Sequence, residues 1–253
     1  MSDDSEQAVG STLDTPLWVV VPAAGVGQRL GGKLAKQYQL LHGVAMLERT
    51  LQQLRRVPGV AGIVVVLAEH DPHWATLSLS SEPLFHTVIG GATRAQSVMA
   101  GIDYVLQQAD EKSWVMVHDA ARPLVAISDI QRLVDAVYNS GATGGLLATP
   151  VQDSLKRADD YATVEQSVDR AGLWQAQTPQ LFRVGELHGA LQSAMQSNDN
   201  IITDESSAME IAGHDPLLVE ALQANFKITR TVDWQIATAL LREQSDVEQG
   251  SVS

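Results

Sequence analysis

A chain of 253 residues with 45% hydrophobic and 19% charged side chains can bury the core of one large globular domain or two small ones. Its 17 Lys and Arg against 30 Asp and Glu leave a net charge of −13, which argues against a nucleic-acid or anionic-membrane surface. The absence of cysteine excludes disulfides, zinc–thiolate centres and a thiol nucleophile, and no apolar run nears the ~18 residues of a membrane span.

In chain order, Leu17–Val21 is an almost wholly apolar run, the pattern of a strand buried on both faces. A Gly-rich loop follows. Met46–Val57 has helical spacing and is stopped by Pro58-Gly59, and Ile63–Leu67 and Thr87–Ile89 read as further strands. Ala95–Ala109 is predicted helical and Trp114–Val117 a buried strand. Ser128 and Gln131 form a capping-box pattern for the next helix, before a strand at Gly145–Thr149. Residues 151–182 break the rhythm and read as an inserted arm. Helices are expected at Gly185–Gln196 and at Thr203–Ala212, the latter capped by Thr203. A strand at Leu217–Ala221 and a helix at Val232–Arg242 complete the series.

This alternation predicts an α/β fold, a Rossmann-like doubly wound and mostly parallel sheet, forming one domain over 16–242 with the arm inside it. Ligands of such sheets bind beyond the carboxyl ends of the strands, here the loops after Val21, Ile89, Val117 and Thr149. The ends, 1–15 and 243–253, read as solvated acidic tails. Asp3, Asp4, Glu6 and Asp14 give the first −4, and Glu243, Asp246 and Glu248 give the second −3, leaving −6 for the body. The polar start MSDDSEQAVGS is unlike a cationic secretory signal, so a cytoplasmic protein is expected, with no second catalytic domain after the last helix.

The loop Pro22-Ala23-Ala24-Gly25-Val26-Gly27-Gln28-Arg29, continuing to Lys33 and Lys36, offers small residues and positive charge where a strand ends. Backbone N–H groups there can approach a phosphate closely. A dinucleotide fingerprint is a poor match, because Leu30 stands at its third glycine. The P-loop spacing from Gly27 to Gly32-Lys33 lacks the following Ser or Thr, Leu34 being there instead. Gly90-Gly91 before Arg94 and Ser97 makes a second place for backbone donors at a helix start. His118-Asp119-Ala120-Ala121-Arg122-Pro123 follows a buried strand, where an Asp meets a metal–phosphate or a ribose hydroxyl; His118 itself reads as structural.

Together these segments resemble the 2-C-methyl-D-erythritol 4-phosphate cytidylyltransferase family of nucleotidyltransferases. The likeness runs from Leu17 to Arg242. It includes Ala23-Ala24-Gly25, Arg29, Lys36-Gln37-Tyr38, Gly90-Gly91, and His118 to Pro123. It continues through Asp153-Ser154-x-Lys156, Val168-Asp169-Arg170, Gln177-Thr178-Pro179-Gln180, Thr203-Asp204-Glu205 and Asn225-Phe226-Lys227-Ile228-Thr229. The resemblance implies transfer of CMP from CTP, with Mg²⁺ or another divalent cation, to 2-C-methyl-D-erythritol 4-phosphate. Arg29, Lys36 and Lys227 would be catalytic, gripping the phosphates around the reacting α-phosphorus. Ala23, Ala24, Gly25, Gly27, Gly91, Ser97, Asp119 and Ala120 would bind the nucleotide. Asp119, Arg122, Ser154, Arg170 and Thr203 would bind the polyol phosphate, and Asp119 would also meet the metal, itself held mainly by the CTP phosphates. The family supplies the positions of Ser154 and Arg170 from the arm of a partner subunit, so a homodimer through 151–182 is implied. Two departures stand out. Ala92 replaces the Asp common after the second glycine, and Ser154 replaces a common Thr. A ribitol 5-phosphate cytidylyltransferase and a non-catalytic nucleotide-binding regulator stay open as alternatives on the same fold.

Overall fold

The apolar run Leu17–Val21 has side chains to bury on two sides, and the structure gives each side its own core. The computed structural model describes residues 15–25, 34–197 and 202–250, with side chains as far as 244. The elements are β1 (Leu17–Pro22), β2 (Leu40–Leu41), β3 (Val44–Ala45), α1 (Met46–Leu54), β4 (Val60–Leu67), β5 (Phe85–Ile89), α2 (Arg94–Gln108), β6 (Trp114–Val117) and α3 (Ile127–Ser140). They continue with β7 (Gly144–Pro150), β8 (Leu155–Ala158), β9 (Val164–Val168), β10 (Trp174–Arg183), α4 (Val184–Gln196), α5 (Glu205–Ile211), β11 (Leu217–Glu220) and α6 (Thr231–Gly250).

Seven strands form one sheet in the order β11-β7-β10-β6-β1-β4-β5. All neighbours are parallel except β10, which runs antiparallel to both β6 and β7. Leu17, Val19 and Val21 face α1 and α3, packing with Leu47, Leu51, Ile130 and Leu133. Trp18 and Val20 face α2, α4 and α5, packing with Val98, Ile102, Leu187, Leu191 and Met209. This two-sided burial is why β1 shows no polar alternation. A smaller cluster, Leu41, Met46, Leu124, Ile228, Ala237 and Leu241, seats α6 beside the cleft edge of the sheet. The expected α/β doubly wound architecture is present.

Four local expectations change. The helix expected to start on a Ser128–Gln131 box begins instead at Ile127 with Ala126 as its cap and no side-chain cap bond. Its first turn is set by the buried Asp129, whose carboxylate accepts from Arg132 one turn on (2.8 Å) and, across the fold, from the Gln223 N–H (3.0 Å). Asp204, not Thr203, caps α5, in a reciprocal box with Ser207. Helix α6 continues past Arg242 into the stretch read as a tail. Finally, the irregular span 151–182 holds a core strand. The excursion proper is the β8–β9 hairpin, whereas Gln177–Phe182 of β10 is buried between β6 and β7. Gln177, Thr178 and Gln180 satisfy their polar atoms by hydrogen bonds, so the buried strand shows an apolar run no longer than Leu181-Phe182.

Helix α2 lies close on β1 and β4 at Gly101. A Cβ there would stand 2.5 Å from Val20 Cγ1, a buried branched side chain with nowhere to go. Gly→Ala in a helix ordinarily stabilises by up to ~1 kcal/mol. Gly101→Ala is expected to reverse that sign and cost about 1–3 kcal/mol through overpacking, measured as a lowered urea midpoint.

Candidate active site

The parallel strands end at one edge, and their loops converge there on a cleft of ≈ 350 Å³. Ala23, Ala24 and Gly25 follow β1, Gly91 to Arg94 lead into α2, and Asp119 to Ala121 follow β6; Lys36, Gln37, Met46, Ser97 and Lys227 complete the lining. Short side chains at 23, 24 and 91 leave the backbone near the void. The first two loops touch: a Cβ on Gly90 would lie 2.7 Å from both Ala24 Cβ and Ser97 Oγ. Ser97 is buried and donates to the Thr93 carbonyl (3.0 Å), while Thr93 and Gln96 form the capping box of α2. The positive N-terminal end of a fifteen-residue helix therefore opens beside the glycine wall.

At the floor sits Asp119, 6% exposed. Its Oδ1 accepts from Arg94 Nε (3.2 Å), and its Oδ2 from Arg122 Nε (3.3 Å) and Lys227 Nζ (3.0 Å). Burial alone would raise its pKa; the charges of Arg94, Lys227 and Arg122 override that and hold the carboxyl well below the usual range. Arg94 is anchored from behind by Glu205, at 2.6 and 3.1 Å in a bidentate pair. Glu205 is 1% exposed; burial pushes its pKa up, and Arg94 opposes the shift. Lys36 reaches across the cleft to donate to the Ile228 carbonyl, and Gln37 Nε2 donates to the Ala23 carbonyl (2.8 Å). The lining thus presents Lys36, Arg94 and Lys227 against one carboxylate, a surplus of positive charge suited to an anionic ligand.

His118 lies directly behind Asp119 and is fully buried. Its Nε2 is 3.1 Å from the Arg122 carbonyl, which can only accept, so the proton of the neutral ring is on Nε2. Nδ1 then accepts from Thr178 Oγ1 (3.1 Å), which in turn accepts from the Asp119 N–H (3.0 Å). The sheet register places Thr178 there, since β10 pairs Gln180 with Val117 and two more residues bring Thr178 level with Asp119. The ring serves structure, as expected from sequence.

The family model for 2-C-methyl-D-erythritol 4-phosphate cytidylyltransferase matches residues 17–243. The chain belongs to that family. A cytidylyltransferase of this name from Ectopseudomonas mendocina is 48% identical over 223 residues, covering 87% of this chain and 94% of the relative. One from Aliivibrio fischeri is 44% identical over 234 residues, covering 92% and 97%. The crystal structure of the Francisella tularensis cytidylyltransferase superposes with a TM-score of 0.77 at 32% identity, covering 88% of this chain and 98% of that one.

Of the cytidylyltransferase residues expected from sequence, the structure gathers Ala23, Ala24, Gly25, Lys36, Gly91, Ser97, Asp119, Ala120 and Lys227 around one cleft. Arg122 lies beneath it, buried, with its NH1 on the Asn225 carbonyl (2.7 Å). Gly27 and Arg29 fall outside the described residues. Thr203 does not line the cleft but sits one residue before the cap of α5, whose next residue, Glu205, holds Arg94. Ser154 and Arg170 are exposed on either side of the β8–β9 hairpin, away from the cleft lining. Asp119 does not sit in a carboxylate cluster. Both of its oxygens are engaged by cations, and among the described residues no group of three His, Cys, Asp or Glu could hold a metal. Arg94 and Glu205 stand within the sequence motifs with no local pattern that marks a role at the site. A Glu in the first turn of a helix looks like ordinary dipole compensation, and only its burial against Arg94 distinguishes it.

The buried His118 carries a pH signature. Burial lowers its pKa to about 4, against about 6.5 when unfolded. The unfolded chain therefore takes up a proton that the native chain refuses as pH falls from 6.5 towards 4, and stability is complete above that window and lost within it. Between pH 7.5 and 5, His118 is expected to contribute a loss of about 2 kcal/mol. Urea titrations at both pH values should show this loss shrinking by that amount in His118→Gln.

Proposed function

We propose that this chain transfers CMP from CTP to 2-C-methyl-D-erythritol 4-phosphate, releasing pyrophosphate and giving 4-diphosphocytidyl-2-C-methyl-D-erythritol. The observation that carries the reading is the convergence of Lys36, Arg94 and Lys227 on a glycine-walled cleft at the carboxyl edge of the sheet. The wall formed by Ala23, Ala24, Gly91 and Ser97 takes the cytidine; the three cations, joined by Arg29 from the preceding loop, take the triphosphate and the incoming phosphate.

A phosphate oxygen of the acceptor forms a new bond to the α-phosphorus of CTP. The bond from that phosphorus to the α–β bridging oxygen breaks, and its electron pair leaves with pyrophosphate. Negative charge crowds around one phosphorus, and fixed cations held by protein contacts stabilise it with little rearrangement. Lys36 is pre-positioned by the Ile228 carbonyl and Lys227 by Asp119. A divalent ion would be held mainly by the CTP phosphates, with Asp119 beside it, and would neutralise charge on the phosphate oxygens; the Asp119 carboxylate meanwhile keeps Arg94, Arg122 and Lys227 in place.

Ser154 and Arg170 complete the acceptor site from the arm of a second copy, making the active form a homodimer in the cytoplasm. The exposed Tyr161, Val164, Leu173 and Trp174 along and below the hairpin supply apolar surface for that contact. Among the described residues no helix is long and apolar enough to cross a membrane.

Pyrophosphate release with CTP and Mg²⁺ is expected with methylerythritol phosphate, and at least 10-fold less with ribitol 5-phosphate; no release with either sinks the proposal. Lys36→Ala should keep its fold by circular dichroism and lose two or more orders of magnitude in kcat. For the shared site, Lys36→Ala and Arg170→Ala are each expected to be nearly inactive, and mixing them after unfolding and refolding should restore roughly a quarter of wild-type activity. That recovery reflects mixed dimers with one intact site, and no recovery would place Arg170 in its own subunit's site or outside both.

A further inference from the structure

The segment between β11 and α6, residues 221–230, has no regular secondary structure, yet it holds both lysines of the cleft. Lys227 belongs to it, and the ammonium of Lys36 rests on its Ile228 carbonyl. What fixes it in place is a small set of tethers. At its ends, Ala221 N–H donates to the Ala148 carbonyl (2.9 Å) and Ile228 N–H to the Ala121 carbonyl (2.9 Å). Thr229 and Arg230 N–H also donate to Asp233 (both 2.7 Å), and nearer the middle Gln223 N–H donates to the Asp129 carboxylate (3.0 Å), while Asn225 ties the segment to β10.

Asn225 is 2% exposed. Its Nδ2 donates to the Thr178 carbonyl (2.8 Å) and to Gln177 Oε1 (2.9 Å), and its own carbonyl accepts from Arg122 NH1 (2.7 Å). A backbone carbonyl can only accept, so the amide cannot be turned over without setting two oxygens against each other, and Oδ1 finds no hydrogen-bond partner among the described residues. A buried acceptor left unmatched costs stability, which the two donor contacts offset. The contacts close a ring. Asp119 N–H donates to Thr178 Oγ1, Thr178 O accepts from Asn225, Asn225 O accepts from Arg122, and Arg122 Nε returns to the Asp119 carboxylate.

We infer that Asn225 is a positioning residue for cytidylyl transfer: its side-chain amide clamps the 221–230 segment to β10 and so sets Lys227, and through Ile228 also Lys36, against the reacting phosphates. Asn225 touches no substrate in this assignment. It acts through the lysines, and it rests on the reading of Lys227 as catalytic.

The test is a double-mutant cycle on the full chain, following pyrophosphate release, with Asn225→Ala, Lys227→Ala and the pair. Asn225→Ala is expected to lower kcat about 10- to 100-fold with KM for CTP changed less than about threefold. In the Lys227→Ala background the same change should cost at least about threefold less than it does in the wild type, what remains being its action through Lys36. Independent multiplication of the two losses, or a kcat for Asn225→Ala within about threefold of wild type, overturns the clamp while leaving Lys227 catalytic. Near-normal kcat in Lys227→Ala overturns the reading of the site itself, and the clamp with it. Asn225→Ser keeps one hydroxyl donor, a bond short of Thr178 and able to reach it through a bridging water, and runs through the same cycle. It should retain more kcat than Asn225→Ala, and it carries the test if the alanine variant does not fold.

Discussion

Everything at the cleft depends on keeping one buried carboxylate ionised. Asp119 sits on the floor of the site, and burial would neutralise it were Arg94, Arg122 and Lys227 not in contact with it. Those three cations come from the start of α2, the loop after β6 and the segment after β11. Their mutual repulsion is tolerable only around a negative centre, so the carboxylate gathers them and they keep it charged. A cleft organised this way already holds positive charge where a triphosphate and a phosphate must meet. Fixed charges of that kind need little reorganisation when negative charge concentrates at phosphorus.

The supports behind Asp119 are as ordered as the contacts in front of it. Glu205 locks the Arg94 guanidinium from the far side, and Thr178 and His118 fix the backbone that carries Asp119 and Arg122. Most of these supports are polar and buried, and several lie on β10, the one antiparallel strand of the large sheet. The reversal matters. Because β10 runs against its neighbours, its beginning lies at the carboxyl edge where the other strands end, which brings Gln177 and Thr178 beneath the site.

Apolar periodicity announced β1, β4, β6 and their helices because each buries aliphatic side chains, and it located the loops after β1, β5 and β6 as the binding edge. It failed at β10, whose buried stretch opens with Gln177, Thr178, Pro179 and Gln180 before it reaches Leu181 and Phe182. It also misplaced two helix starts, at Ala126 and Asp204, where the deciding contacts are with residues remote in sequence or with a reciprocal Ser. The candidate site was legible to the extent that its residues sit in glycine-rich or charged motifs, as with Ala23 to Gly25, Lys36, Gly91, Asp119 and Lys227. Glu205, Thr178 and Asn225 were visible only as letters in those motifs, since a side chain that acts by holding another leaves no local pattern.

The net charge of −13 looked ill matched to anionic substrates, and the chain itself resolves part of the conflict by carrying seven of those charges in its two ends. Sequence alone determined the α/β order of elements, the small-residue loops that let backbone approach phosphate, and the kinship of the chain. The tertiary structure alone decided which charges face one another. Coulomb energy depends on distance and burial. Arg94 and Lys227 come within hydrogen-bonding reach of the Asp119–Arg122 pair, and Glu205 of Arg94, only once the sheet and its loops have closed.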